Sequence, residues 1–183
     1  DQNNFLDPRS LKEKGLAHVP EDRQRMGLIT EFKANENLIF GYHHQEPFSK
    51  SSILQEKNIL SFSKKVMGEY DVRPNSPNLI TSNFSGGNQQ KIILSRELNK
   101  NPKVLLVGQP TRGVDIGAIE FIHQRLIDMR DKGAAILLVS VELDEVLSLS
   151  DRIVVMFDGN IVGEKVNKNV TDRELGLLMA GVV

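Results

Sequence analysis

Two apolar segments separated by a long amphipathic segment restrict the fold of this chain most narrowly. Residues 103–107 read KVLLV and residues 135–140 read AILLVS. Short apolar runs of this kind are typical of strands that are buried on both faces. Residues 115–132 between them are predicted to be a helix, with Asp115 as its N-cap and Gly133 just past its end. A strand–helix–strand order with buried strands predicts an α/β fold with a parallel sheet covered on both faces.

Caps, apolar spacing and turn residues predict the remaining elements. Helices are predicted over residues 8–14, 34–42, 52–70, 88–99, 142–149 and 172–180, and strands over 16–19, 152–157 and 160–164. Asp158-Gly159 between the last two strands is a strong hairpin signal. Residues 21–25 are highly charged and predict a loop. Residues 30–80 are mostly helical by these criteria, without a clear strand.

Composition excludes several functional classes. The 183 residues suffice for one domain with a sizeable core, and no apolar run approaches the ~18 residues of a membrane span. The chain has 23 Lys and Arg residues against 24 Asp and Glu residues, so its net charge gives no reason to expect nucleic-acid binding. No cysteine is present, which excludes disulfides and thiolate metal sites. No signal peptide is visible, and the polar start without an initiator Met predicts a piece of a longer protein.

The histidines do not predict a metal site. His43 and His44 are adjacent, so their side chains diverge on a helix, while His18 and His123 are isolated in the sequence. No carboxylate lies at a metal-ligand spacing from any of them. These four residues are therefore interpreted as ordinary structural histidines.

The most informative stretch is NFSGGNQQK, residues 83–91, where two glycines open a predicted helix. Gly86 and Gly87 carry no side chain, so a ligand or partner can approach their backbone closely. The first amides of a helix are unpaired and lie at its positive end, which suits a phosphate group. Ser85 supplies a cap and a hydroxyl. The alternative is a capped helix with a Gly-Gly turn that binds nothing.

The stretch VLLVGQPTRGVD, residues 104–115, places Gly108 and Gln109 at the end of a buried strand. Phosphate-cleaving enzymes often have an Asp there for Mg²⁺ and a Glu beside it to activate water. Gly108 offers no oxygen to a metal ion, and Gln109 can orient water but cannot accept its proton. Loss of a general base typically costs about 10²- to 10⁴-fold in rate. Taken alone, the pair also fits an ordinary exit from a strand.

A phosphate loop of the form G-x-x-x-x-G-K-[ST] is absent from the sequence. The chain is therefore predicted to be unable to cradle a triphosphate by itself.

Several motifs in order resemble the ATP-binding subunits of ABC transporters. Residues 84–90 resemble the signature motif in its sugar-importer form, and residues 104–111 resemble the Walker B strand. Residues 112–115 resemble the D-loop that follows it. Residues 139–141 match the switch position, and residues 19–23 resemble the Q-loop segment. The sequence QPTRG at residues 109–113, followed by GAIEFIH at residues 117–123, is most similar to that of importers of simple sugars and nucleosides. Within that group we favour a nucleoside importer.

The resemblance implies a partial P-loop NTPase core with a parallel sheet, together with an α-helical subdomain. The chain is identified as the C-terminal part of a second nucleotide-binding domain, with the phosphate loop missing. Residues 1–28 would be partial core with the Q-loop-like segment, 29–100 the helical subdomain ending in the signature motif and its helix, and 101–183 the C-terminal part of the core.

The resemblance also implies the site residues. ABC ATPases dimerise head to tail, so the signature of one half meets ATP held by the other. The implied nucleotide-binding positions are Ser85, Gly86, Gly87, Asn88, Gln89, Glu21, Asp115 and Val141. Gln109 occupies the catalytic position, Gly108 replaces the metal-binding Asp, and Val141 replaces the switch His. The chain's own site would be degenerate, with no metal ligand.

The implied cofactors are ATP and Mg²⁺, both in the assembled transporter. The implied partners are a second ATPase half and membrane-spanning permease subunits, whose coupling helix would enter a groove beside Glu21. The location would be peripheral, on the cytoplasmic side of the membrane. Apolar surface left by missing strands would favour self-association of this segment. Alone, it is predicted to be inactive.

Two other functions remain open at this point. An ABC-type ATPase acting on nucleic acid or ribosomes also carries the signature motif, usually with basic inserts or coiled-coil arms. Neither feature is visible here. A non-enzymatic regulatory domain that only lends its signature loop is the other alternative.

Overall fold

The computed structural model describes residues 7–182, which form two compact units. The first unit extends to Leu137 and the second begins at Leu138. The predicted domain limits after residues 28 and 100 both fall inside the first unit. Residues 1–6 of the first predicted domain lie outside the described residues.

The first unit contains most of the elements. They are α1 (Pro8–Glu13), β1 (Leu16–Val19), a π-helical turn (Arg23–Gly27), α2 (Ala34–Ile39), β2 (Ser49–Lys50), β3 (Ile53–Leu54), α3 (Glu56–Glu69), a 3-10 turn (Thr81–Asn83), α4 (Gly86–Leu98), β4 (Val104–Gly108) and α5 (Ile116–Asp131). The strand β5 (Ala135–Val139) crosses the boundary between the units.

The helix α4 is the centre of the first unit. Eleven of its thirteen residues are buried, and it contacts β1, α2, α3, α5 and the π-helical turn. Its apolar residues Ile92, Ile93 and Leu94 are completely buried. A helix surrounded in this way is held rigidly by packing, because its position is set by several neighbouring elements at once.

In the three-stranded sheet, β4 lies between β1 and β5, and β1 runs parallel to β4. Ala17 lies beside Leu105 and Val19 beside Val107, and all four side chains are buried. Val104 and Leu137 are 41% and 59% exposed. The prediction of a sheet covered on both faces is therefore wrong for the described residues, because parts of β4 and β5 are left open.

Two further predictions in the first unit are wrong. The charged segment 21–25 was expected to be a loop, but Asp22 caps the π-helical turn by accepting from the amides of Gln24 and Arg25. The segment 30–80 also contains a short antiparallel hairpin, β2 with β3. Ser51 and Ser52 form its turn with positive φ values of 50° and 66°.

A buried ion cluster joins α1 to α4. Glu97 is 1% exposed and accepts from Lys12 Nζ at 3.0 Å and from Arg96 Nε at 2.7 Å. Tyr42 lies beside this cluster, and burial raises the pKa of its hydroxyl. A carboxylate this deep is tolerated because both cations neutralise it.

The second unit packs a hairpin on two helices. Its elements are α6 (Leu143–Leu149), β6 (Arg152–Phe157), β7 (Asn160–Val166) and α7 (Asp172–Met179). Ile153 and Val155 of β6 are buried with Leu175 of α7. The predicted Asp158-Gly159 turn is confirmed, because both residues adopt positive φ between antiparallel strands. None of the helices in residues 7–182 is long and apolar enough to cross a membrane.

Candidate nucleotide-contact site

The N-terminus of α4 begins at the predicted serine cap. Ser85 is exposed, and its Oγ accepts from the Asn88 amide at 3.4 Å and from Asn88 Nδ2 at 2.9 Å. Asn88 Oδ1 accepts from the amide of Arg73 at 2.7 Å. We call residues 85–88 the α4 tip. It presents a hydroxyl group beside the free amide end of a thirteen-residue helix.

Both glycines of the α4 tip lie close to other segments of the chain. A Cβ on Gly86 would lie 2.6 Å from Arg23 Nη2 and 3.0 Å from the carbonyl oxygen of Gly113. A Cβ on Gly87 would lie 3.0 Å from Asp115 Oδ2. Gly86 is half-buried and Gly87 is buried. The sequence suggested that these glycines admit a ligand, and the structure adds an internal reason for both.

Gln89 is engaged inside the fold. Its side chain is buried, its Nε2 donates to the Thr81 carbonyl at 3.1 Å, and its Oε1 accepts from Gln24 Nε2 at 3.3 Å. These bonds tie α4 to both the 3-10 turn and the π-helical turn. The implied contact of Gln89 with nucleotide stays a prediction.

The Q-loop-like segment lies against the loop that follows β4. Glu21 is exposed, and its carboxylate accepts from Arg112 Nη1 at 2.8 Å. Arg23 donates in turn to the carbonyl oxygens of Arg112 and Gly113, at 2.6 and 3.2 Å. The sequence placed Arg23 at the end of the Q-loop-like segment but gave it no role, because its partners lie about ninety positions away.

The end of β4 holds the two unusual residues. Gly108 is the last residue of the strand, and a Cβ there would lie 3.1 Å from the Glu21 amide nitrogen. Gln109 follows with φ of +46°, in the left-handed region that side chains seldom adopt. Its carbonyl accepts from the Arg112 amide at 3.2 Å, which closes the first turn of the 109–115 loop.

Asp115 ends that loop as the N-cap of α5. Its Oδ1 accepts from the Ala118 amide at 2.9 Å, as the sequence predicted for a cap. It also lines a cavity of about 300 Å³ beside the α4 tip. The other lining residues are Asp71, Arg73, Gly87, Asn88, Lys91, Gly117 and Ala118. Lys91 and Arg73 both pair with Asp71, at 3.1 and 2.7 Å, and Asp115 supplies a second carboxylate, so the charges lining this cavity balance.

The first unit therefore brings Glu21, Asp115 and the α4 tip together around the 109–115 loop. Val141 belongs to the second unit and is 64% exposed just after β5. Within residues 7–182, no cluster of three or more His, Asp or Glu side chains could hold a metal ion.

Comparison with known proteins identifies relatives of the chain and of its fold. The chain is 44% identical over 176 residues to the guanosine import ATP-binding protein NupO of Bacillus subtilis, covering 96% of this chain and 34% of that protein. It is 48% identical over 174 residues to the nucleoside import ATP-binding protein NupA of Lactococcus lactis, covering 95% and 34%. A dimeric bacterial ABC transporter cassette matches with a TM-score of 0.71 at 22% identity, covering 92% of this chain and 71% of its own.

The chain is a homologue of sugar- and nucleoside-import ATP-binding proteins. It has the ABC ATPase cassette fold, so the resemblance and the fold class drawn from the sequence are confirmed. The chain spans about a third of the length of these curated relatives. No family model matches it.

Proposed function

We propose that this ABC ATPase segment works in the ATP-binding protein of a nucleoside importer, where the α4 tip meets the phosphates of ATP held by a second ATPase half. The exposed Ser85 hydroxyl at the N-terminus of α4 is the observation that carries the proposal. Helix amides and a hydroxyl at a positive dipole end are suited to a phosphate. The names of the relatives support a nucleoside as the imported solute.

Rigidity of α4 supports this assignment. Eleven of its thirteen residues are buried, so the tip is held in place before any ligand arrives. Donors that are already oriented stabilise developing charge without a reorganisation cost. Two further residues of the tip have close neighbours: the Asn88 side chain accepts from the Arg73 amide, and the Arg23 guanidinium lies beside Gly86.

The chain's own strand end does not fit a magnesium ion. Gly108 has no side-chain oxygen, and the nearby Glu21 carboxylate already accepts from Arg112. Gln109 has no basic group to accept a proton from water. We therefore assign Mg²⁺ and the general base to the second ATPase half, and we infer that the local site turns over ATP weakly. Val141 at the switch position has only an apolar side chain, which agrees with this inference.

A cavity of about 530 Å³ in the first unit is our candidate for permease docking. Met26 and Phe40 line it and are 64% and 45% exposed, an unusual exposure for such large apolar side chains. Pro20 of the Q-loop-like segment also lines it. Docking of a membrane subunit there would place the protein peripherally on the cytoplasmic face of the membrane.

The test uses the full-length protein assembled with its permease in membrane vesicles. We expect Ser85→Ala to lower ATP turnover by about 100-fold, the usual loss when one oriented donor to developing charge is removed. Ser85→Thr keeps the hydroxyl and should retain most of the activity. Loss of the cap costs about 1 kcal/mol, so thermal unfolding must show that the variant is folded at the assay temperature.

Ser82→Ala is the matched control. Ser82 is also exposed and lies three residues earlier, in the 3-10 turn, where its amide donates to the Thr30 carbonyl. This variant should keep wild-type turnover. Equal activity of folded Ser85→Ala and Ser82→Ala proteins would refute the proposed phosphate contact.

A further inference from the structure

Arg23 lies where three segments of the first unit meet. Its guanidinium donates through Nη1 to the Arg112 carbonyl at 2.6 Å and through Nη2 to the Gly113 carbonyl at 3.2 Å. Two donors of one planar group thus bind two successive carbonyls of the 109–115 loop. This forked contact fixes both the distance and the orientation of the loop.

The contact between the two segments runs in both directions. Arg112 uses its own guanidinium to bind Glu21, two residues before Arg23, at 2.8 Å. The backbone of Arg112 accepts from Arg23, while its side chain donates to Glu21. Opposed bonds of this kind resist sliding, because a shift that relaxes one bond stretches the other. Asp22 between them is held by capping the π-helical turn.

The third segment is the α4 tip. The position that a Cβ on Gly86 would occupy lies 2.6 Å from Arg23 Nη2, so the helix backbone rests directly on the guanidinium. Two further contacts run along the same helix. Gln24 donates to Gln89 at 3.3 Å, and a Cβ on Gly27 would lie 2.6 Å from Ile93 Cδ1. The π-helical turn therefore packs alongside the first two turns of α4.

One further N–H of Arg23, on Nε, makes no hydrogen bond to the described residues. That nitrogen atom is buried. A buried donor without a partner lowers the net contribution of the other two bonds.

We propose that Arg23 is a positioning residue that couples the 109–115 loop to the α4 tip, so that the two move as one body. The inference rests on the proposed function, in which the tip meets a phosphate. Through Arg23, the placement of the tip depends on the loop at the end of the Walker B-like strand. Arg23 itself is not placed in contact with nucleotide.

Hydrogen exchange of the full-length protein without nucleotide tests the coupling directly. We expect Arg23→Gln to raise amide exchange both in the 109–115 loop and in residues 86–89. Arg23→Lys should restore little, because one ammonium cannot replace a fork that reaches two carbonyls. Arg25→Gln is the matched control, since Arg25 is exposed on the same turn and should leave both regions unchanged. Faster exchange confined to residues 21–27 would overturn the inference.

A double-mutant cycle gives a second readout. Gly86→Ala should push the guanidinium aside and raise exchange in the 109–115 loop. In the Arg23→Gln background the same change should have a smaller effect, because its main obstacle is gone. Additive effects of the two substitutions would contradict a shared contact.

The assembled importer links the coupling to turnover. We expect Arg23→Gln to lower kcat by about tenfold or more with little change in KM, since a misplacement of ~1 Å can cost about 100-fold. Wild-type kcat in Arg23→Gln, together with a large loss of turnover in Ser85→Ala, would overturn the inference. Conversely, Arg23→Gln could raise exchange in both regions while Ser85→Ala leaves ATP turnover unchanged. That result would overturn the proposed function and leave the coupling intact.

Discussion

Asp71 combines a backbone role with an electrostatic role at a single position. It follows the C-cap of α3 with φ of +49°, a conformation that Asp and Asn tolerate better than most residues. Its carboxylate accepts from Arg73 Nε at 2.7 Å and Lys91 Nζ at 3.1 Å. Both bonds lower the pKa of Asp71 below its ordinary value of 3.8, and the bond from Arg73 has the larger effect.

Asp71→Asn should reduce stability in a pH-dependent way. Because the folded-state pKa is lowered, the carboxylate stabilises the fold fully above about pH 4, and this contribution is lost as the pH falls through the folded-state pKa. The effect should be at most about 1 kcal/mol, since the pair is partly exposed. Urea unfolding of both proteins at pH 7, 5 and 3 measures it. A difference that does not shrink toward pH 3 would contradict the assignment.

Single residues were predicted best where one side chain acts locally. Ser85 and Asp115 were recognised as caps from sequence, and the structure confirms both. The contacts of Arg23 were not predictable, because its partners in the 109–115 loop are about ninety positions away. The close packing of Gly86 was missed for the same reason. Contacts between distant segments depend on the tertiary fold, which local patterns do not encode.

The β6–β7 hairpin depends on the backbone freedom of its turn. Asp158 and Gly159 have φ values of +47° and +74°, as a two-residue hairpin turn requires. No atom lies within 4 Å of the position that a Cβ on Gly159 would take. Any effect of a methyl group there must therefore come from the backbone and not from a collision.

Gly159→Ala should destabilise the second unit by about 1 kcal/mol, the usual cost of placing a side chain in the left-handed region. Gly176→Ala is the matched control, because Gly176 is exposed in α7 and its added Cβ also meets open space. That change should stabilise by about 0.5–1 kcal/mol, since alanine favours a helix. Chemical denaturation measures both. Changes of the same sign in the two variants would contradict the backbone explanation.

Elements with strong periodicity and caps were predicted well. The strand at Leu16–Val19 has the predicted limits, and α5 begins one residue after its predicted cap. The π-helical turn was missed because its segment is charged and has no apolar period. The β2–β3 hairpin was missed because its turn uses Ser51 and Ser52 in place of Asn or Gly.

At the scale of the whole molecule, the parallel sheet has more apolar surface than its neighbours cover. Val104 and Leu137 remain exposed although both strands are apolar throughout. Parallel strands of this composition are normally buried on both faces. The sequence predicted the strands and their parallel order correctly, but composition alone could not show which segments cover them.

Purified residues 1–183 should not hydrolyse ATP. They contain no phosphate loop, and the strand end at Gly108 and Gln109 offers no carboxylate. Phosphate release with Mg²⁺ and ATP should therefore equal the blank, while the full-length protein assembled with its partners serves as the active control. Magnesium-dependent hydrolysis by this segment alone would show that the proposed division of labour is wrong.

The tight approach of Gly108 to Glu21 limits which residues can stand at the end of β4. A Cβ at position 108 would lie 3.1 Å from the Glu21 amide nitrogen, and the Glu21 carboxylate is bound to Arg112. An acidic side chain at position 108 would therefore displace the Glu21 backbone before it could offer an oxygen to a metal ion. A single Gly108→Asp exchange should for this reason fail to supply the missing metal ligand.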